Sequence, residues 1–547
     1  MNKKTAFKLI AISFPFIIIL LLEVMLRIFG YGERYELFHK VVSENQTEYY
    51  VMNSGISKKY FRDTGFRADN QSDLFLKHKT DSTFRVFVQG ASTVVGFPFY
   101  KNGSFPRLLK HRLALTFPDK NIEVINTGIT AVNSYTLWDL ADEIIEQDPD
   151  LVVIYAGHNE YYGALGAGSA VFIGNHPFLV RSYLKLKDLR VFQLLENTAA
   201  DLFGPTNDVG YKVGETTLME VMAREQQIPY NSKVYQAGID QFESNLQKLL
   251  SKYQDHDIPV VISTLVSNKK DIPPFVSDEL DEAEFESLLE KDVNAASGIA
   301  RKNAKAAYQL GQYYLEVQKD SARKYFHIAK ELDLLRFRAP ERINEIIIEL
   351  AENENVYLVD AANIFESRSQ SGFLDNELLT EHVHPNVKGN FIIADALYNK
   401  TRELDLLDDW KNFISYEEAF SNIPITQIDS IRGKMIVEDL KRSWPYVLDM
   451  SGKNVVRGYH QLQNPTFEEK KAIGLYSGKE QWEDVMRQAY HTYKNRGDFE
   501  NALRVAQSLI SEFPEQHRVY EMAGNMCKEM NDPECARFYY RKRDQLK

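Results

Sequence analysis

The sequence predicts an α/β protein built on a parallel sheet, with a membrane-spanning helix in front and a small helical region behind. Three observations carry this. From Phe84 onward, short strand-like apolar runs alternate with amphipathic helical stretches, the order that builds parallel sheets. The first 30 residues join a lysine-rich start to an uncharged apolar run. Residues 481–547 place small and aromatic residues at the period of a helical repeat.

A chain of 547 residues is about three to four times the usual domain length, so several folding units are expected. Its 44% hydrophobic and 26% charged content excludes a largely disordered or polytopic membrane protein. The net charge of −12 repels phosphate backbones, which argues against nucleic-acid binding. Only Cys527 and Cys535 are present, so neither a disulfide framework nor a four-cysteine zinc site can be built.

At the N-terminus, Lys3, Lys4 and Lys8 precede the charge-free run Leu9–Leu22. Those 14 residues reach only ~21 Å as a helix. Extension to Phe29 gives ~31 Å, provided that Glu23 and Arg27 pair at the far interface. No Ala-x-Ala site follows, so residues 1–30 read as an uncleaved single-pass anchor rather than a cleaved signal. The positive-inside rule then puts the N-terminus in the cytoplasm and the bulk outside, in a periplasm-like compartment. Residues 31–83 read as a juxtamembrane segment.

Strands are expected at Phe84–Gln89, Ile122–Asn126, Leu151–Ala156, Pro259–Val266 and Val356–Val359, with helices at Phe105–Phe117, Tyr135–Gln147, Tyr235–Tyr253 and Ala339–Glu352. This body, 84–402, is interrupted at about 163–231 and 268–338, stretches too long for plain loops. In the second, Leu310, Gly311, Tyr314, Ala322, Phe326 and Ala329 follow a helical-hairpin spacing. Residues 403–480 read as a helical connector. In 481–547, Tyr493, Gly497, Ala502, Ala506, Leu509 and Pro514, then Ala523, Gly524, Ala536 and Tyr540, fit two tetratricopeptide-like (TPR-like) repeats, a surface that can pack on the main body or bind a protein partner. Cys527 and Cys535 flank the turn of the second repeat; a disulfide and two buried thiols are both compatible with that spacing.

Four strand-end segments carry chemistry. The first strand ends in Gly90-Ala91-Ser92-Thr93, which sets a hydroxyl at the carboxyl edge of the sheet. The second ends in Asn126-Thr127-Gly128, whose glycine lets the backbone approach a bound atom. The third ends in Gly157-His158-Asn159-Glu160, which offers a side-chain amide to an oxyanion. The last segment is Glu381-His382-Val383-His384-Pro385-Asn386, ahead of the helical stretch Gly389–Asn399. A carboxylate three residues before a histidine can reach Nδ1, fix the tautomer and leave Nε2 free as base.

Together these are the parts of an acyl-transfer site: nucleophile Ser92, base His384, acid Glu381, and an oxyanion hole from the Ser92 and Gly128 N–H groups and the Asn159 amide. Here the chain resembles the SGNH/GDSL hydrolase superfamily, whose blocks contribute Ser, Gly, Asn and His in this order. The Gly-His-Asn-Glu-Tyr-Tyr-Gly run and the closing His-Pro-Asn look like a membrane-anchored branch with TPR-like segments. The resemblance spans about Phe84 to Arg402. It implies a three-layer α/β/α, flavodoxin-like domain and an esterase that needs no cofactor and acts on an ester-bearing substrate such as an O-acetylated glycan. It departs from the pattern at Ala91, Glu160 and Glu381, each where the superfamily usually has Asp.

The same residues would serve an O-acyltransferase on an envelope glycan, and a degenerate, non-catalytic scaffold with a TPR-like tail is the alternative from another class. Glu381, His382 and His384, with His158 and His176, also form a metal-like cluster, but the hydrolase block accounts for it and no metal is expected. His382 competes with His384 as base, because residues two apart in an extended loop share a side. Arg336 and Arg338 are expected to steer an anionic part of the substrate.

Overall fold

A computed structural model describes residues 3–43, 46–61, 68–168, 176–203, 218–223, 226–447 and 464–547. Parts of the first interruption and of the connector therefore lie outside the described residues.

The chain opens with helix α1 (Lys3–Ile28), where the apolar run predicts one. Among the described residues, however, no helix is long and apolar enough to cross a membrane. This overturns the transmembrane part of the expected fold class, together with the single-pass topology built on it. The reason lies at the C-terminal end of α1. Glu23 and Arg27 do pair, at 2.7 Å, but not as a free interfacial couple. Glu23 Oε2 accepts the Val191 N–H at 2.8 Å and Arg27 donates to the Asp188 carbonyl at 3.2 Å, so both are tied to the chain at residues 188–191. What remains uncharged is Leu9–Leu22, ~21 Å against a ~30 Å hydrocarbon core, with Pro15 inside it.

The segment expected to be a juxtamembrane stretch is a folded part of the body. Strands β1 (Phe38–Val42), β2 (Glu48–Met52) and β3 (Leu74–Leu76) form an antiparallel sheet. Phe38 and Phe75 pack edge to face at 5.0 Å, and both meet Phe87 of the main sheet. Asp73 fixes the next layer, accepting the Asn126 N–H and pairing with buried Arg107 at 3.0 Å.

The main sheet consists of β4 (Thr83–Gly90), β5 (Asn121–Asn126), β6 (Leu151–Tyr155), β7 (Val260–Ser263) and β8 (Val356–Val359), all parallel, in the order β5-β4-β6-β7-β8. β4, β6 and β7 are buried along their whole length; β6 and β7 accordingly read as apolar runs without alternation, while β4 buries Arg85 against Glu123 and Gln89 against the Leu137 carbonyl and the Tyr253 hydroxyl. The short α2 (Ser92–Val95) and α3 (Phe105–Thr116) link β4 to β5, and α4 (Ser134–Ile145) links β5 to β6. Because the chain moves outward to β5 and then back past β4 to β6, the strand order reverses beside β4. The carboxyl ends of β4 and β6 thus flank the crevice where open sheets hold ligands.

Between β6 and β7 come α5 (Arg190–Phe203), α6 (Leu218–Ala223) and α7 (Lys233–Gln254). The second interruption holds a helical group between Glu282 and Leu332, then α8 (Glu341–Leu350) leads to β8 and α9 (Val387–Glu403) follows it. α4, α7 and α8 pack together, while α3 packs with α9. Beyond α10 (Gln427–Lys441), the tail stacks α11 (Trp482–Asn495), α12 (Phe499–Glu512), α13 (His517–Glu529) and α14 (Pro533–Leu546) in succession. Its small residues Ala502, Ala506 and Ala523 are fully buried, and Cys527 and Cys535 are disulfide-bonded. The tail docks on the body: Glu512 of α12 pairs with Arg107 of α3 at 2.7 Å.

Candidate active site

β4 runs straight into the nucleophile candidate. Only glycine fits at position 90, where a Cβ would lie 2.2 Å from the Tyr155 carbonyl of neighbouring β6. Ala91 caps the single turn α2, which begins at Ser92 and stops at Gly96 in a left-handed conformation (φ +97°). The Ser92 hydroxyl therefore projects at the sheet's carboxyl edge. Across the crevice, the loop before α9 is pinched shut, with Leu379 bridged to Pro385 and the Thr380 N–H donating to the His384 carbonyl at 2.8 Å. That loop brings His384 Nε2 to 2.7 Å from Ser92 Oγ, across 292 residues of sequence.

Glu381 meets the imidazole despite its extra methylene because its own turn folds around the carboxylate. Oε1 accepts the His384 N–H at 2.7 Å and lies 2.5 Å from His384 Nδ1. Oε2 accepts the His382 N–H and the Tyr446 hydroxyl, each at 2.8 Å. The carboxylate is fully buried. His382 does not compete for Ser92: its Nδ1 is held by the Tyr446 hydroxyl at 2.7 Å and by Glu381 Oε2. Burial penalises a charged imidazole, pushing His384 and His158 down to about 3 and His382 well below its ordinary value. All three are thus neutral near pH 7, and His384 is a free base.

Of the residues expected to supply oxyanion donors, Gly128 is placed away from the cavity. Asn159, after β6, lines the same cavity as Ser92, and its side-chain amide bonds to none of the described residues. Gly128 is not in that lining. Its N–H is spent on Asn126 Oδ1 at 2.9 Å, and an added Cβ would sit 2.9 Å from the Val95 backbone nitrogen, so it serves a packed turn. Ala131, three residues on, is the residue of this turn that reaches the cavity. It lines the cavity, holds φ +61°, and its N–H has no acceptor among the described residues. Nothing in the sequence marks this, since alanine is not a left-handed residue by preference.

Arg336 and Arg338 are not presented to substrate. Both are buried: Arg336 donates to the Ile228 and Glu331 carbonyls, while Arg338 donates to the Asn268 and Ile272 carbonyls and pairs with Asp333 at 2.8 Å. Phe337 between them faces the cavity instead. Glu160 accepts the Ser134 N–H and hydroxyl and a Gln241 amide hydrogen, which ties the Asn159 loop to α4 and α7. Burial pushes it up to about 7. His158 lines the cavity, whereas His176 is exposed at the start of a helix; among the described residues no cluster could hold a metal ion.

The cavity measures about 170 Å³ and is walled mainly by Phe97, Tyr162, Met219, Met222, Phe337 and Leu440. Both interruptions and α10 therefore supply its walls. A larger cavity of about 430 Å³ lies between α3 and the tail, but the histidine in it, His111, bonds to the Asn422 carbonyl and not to a nucleophile.

No family model and no curated protein matches the chain. Solved structures do. An acetyl xylan esterase is 16% identical, covering 58% of this chain and 99% of its own, with a TM-score of 0.28. An acetylxylan esterase from Geobacillus stearothermophilus is 15% identical, covering 61% and 98%, with a TM-score of 0.28. A lipolytic protein of the G-D-S-L family from Desulfitobacterium hafniense is 10% identical, covering 58% and 98%, with a TM-score of 0.26.

Proposed function

We propose that this protein is an SGNH-type serine ester hydrolase acting on short, uncharged acyl groups, acetyl first among them. The observation that carries the reading is the continuous chain Ser92 Oγ, His384 Nε2, His384 Nδ1 and Glu381 Oε1, with contacts of 2.7 and 2.5 Å. In the first half-reaction Ser92 Oγ attacks the ester carbonyl as its proton passes to His384 Nε2. Glu381 stabilises the imidazolium so formed. The Ser92 N–H, the Ala131 N–H and the Asn159 amide supply the oxyanion donors, with Ala131 in the place expected of Gly128. His384 then protonates the departing alkoxide, leaving an acyl-Ser92 that water hydrolyses with His384 again as base.

Support for a short acyl group comes from the small, mostly apolar cavity and from the turning away of Arg336 and Arg338, which leaves no lysine or arginine lining it among the described residues. The test is a p-nitrophenyl ester series from acetyl to octanoyl. Acetyl or propionyl should give the highest kcat/KM, with a fall as the chain outgrows the cavity, and Ser92→Ala should lose at least about 10³-fold. Absence of hydrolysis by the folded protein, or an unaffected Ser92→Ala, would refute the proposal.

A further inference from the structure

The donors that converge on Glu381 come from its own turn, with one exception. Tyr446 is 65 residues away in sequence, past the end of α10 on the connector to the tail. Its hydroxyl donates to Glu381 Oε2 at 2.8 Å and lies 2.7 Å from His382 Nδ1. Its ring stands edge-on to Phe275 at 5.1 Å, and Phe275 also packs on His382 at 5.5 Å. From the same connector, Trp444 packs on Phe337 at 5.9 Å, and Leu440 of α10 lines the cavity.

We infer that Tyr446 is a positioning residue for the acyl-transfer step, and that the connector after α10 completes the active site instead of merely joining two regions. The inference rests on the esterase reading. Glu381 faces two imidazoles, His384 on Oε1 and His382 near Oε2, and productive chemistry needs the carboxylate plane set for His384 alone. The Tyr446 hydroxyl occupies Oε2 with its proton and offers its oxygen to the His382 Nδ1–H. It therefore satisfies the second imidazole and pins the carboxylate at once. Burial holds the phenol above its ordinary range, so it remains a donor at working pH. The other charged or titratable groups facing this cluster are His158, Arg338 and Lys441, and they stay constant in the test below.

The test uses the full chain with p-nitrophenyl acetate. Tyr446→Phe, which deletes only the hydroxyl, is expected to lower kcat about tenfold, with KM within about twofold and an unchanged melting temperature. One donor fewer on Glu381 leaves more negative charge beside His384 Nδ1, so the acid limb of the kcat/KM profile should move to higher pH. Incorporation of 3-fluorotyrosine at position 446, a stronger donor of nearly the same shape, should move that limb to lower pH. A Tyr446→Phe protein with wild-type kcat and limb would overturn the inference. So would parallel losses in kcat, KM and melting temperature without a limb shift, which mark a structural role only. If Tyr446→Phe does not fold, the fluorotyrosine protein decides, and an unmoved limb overturns the proposal. Wild-type protein without esterase activity refutes the esterase reading itself and this inference with it, an outcome distinct from every result at position 446.

Discussion

Replacing Glu381 with glutamine tests the residue in which the site departs most from the usual acid. The carboxylate is fully buried and accepts on both oxygens, whereas glutamine offers a single accepting oxygen. With the amide oxygen toward His384 the imidazole tautomer survives, and the amide nitrogen then faces the His382 N–H and the Tyr446 hydroxyl. At ~1–3 kcal/mol for each stranded buried donor, the upper bound is ~6 kcal/mol. The Tyr446 hydroxyl can turn toward His382 Nδ1, 2.7 Å away, once that imidazole carries its proton on Nε2 instead, which recovers one of the two. A stability loss of ~1–3 kcal/mol is therefore expected. The rate should suffer more, because the negative charge that stabilises the imidazolium is gone; a fall of ~10³ to 10⁴ in kcat is expected, ~4–5.5 kcal/mol of barrier. The assay pairs kcat for an acetyl ester with a denaturant melt of the same preparation. A folded Glu381→Gln protein that keeps kcat within tenfold of wild type would refute the role given to Glu381.

Asn159→Ala should cost ~10² to 10³ in kcat with little change in melting temperature, as expected for a lost oxyanion donor. Gly128→Ala should instead reduce stability, since its Cβ would meet the Val95 backbone at 2.9 Å, and surviving folded protein should turn over near the wild-type rate. Arg338→Ala breaks a buried pair with Asp333 and should cost ~3–5 kcal/mol of stability without a selective rise in KM, measured by urea melts and steady-state kinetics. In the pH profile of kcat/KM, burial holds His384 at about 3, below the ordinary 6.5, so the acid limb should lie well below pH 6.5; a limb at or above that value contradicts the account. The same depression has a stability sign. His158 and His384 take up protons in the unfolded chain near 6.5 but in the folded one only near 3, so their contribution to stability is present above 6.5 and lost as pH falls through that window.

The parallel sheet was legible because its strands are short apolar stretches bounded by turn residues and alternating with helical ones: Val356–Val359 matches β8 at both ends and Ile122–Asn126 matches β5 to within one residue. Ser92, Asn159, Glu381 and His384 were legible for a related reason, since topology sends the ends of successive strands to one edge and local spacing suffices to name them. Contacts decided by the return path of the chain were not. Gly128 and Ala131 lie three residues apart in one turn, and only the Asn126 side chain, by taking the Gly128 N–H, assigns them different work. Arg336 and Arg338 look like an exposed pair until Phe337 turns to the cavity and sends both neighbours into the interior. Residues 31–83 lacked a long periodic run, yet Phe38 and Phe75 close the core against Phe87. The four-residue spacing of Glu23 and Arg27 shows that they can pair, but nothing local shows that they also bind Val191 and Asp188. Tyr446 carries no local signal at all.

The most direct measurement is covalent labelling of the native protein with an alkyl fluorophosphonate, followed by intact mass and peptide mapping. One adduct per chain is expected, located on Ser92, absent in Ser92→Ala and much slower to form in His384→Gln. A folded wild-type protein that takes no label, or a label that persists in Ser92→Ala, would contradict it.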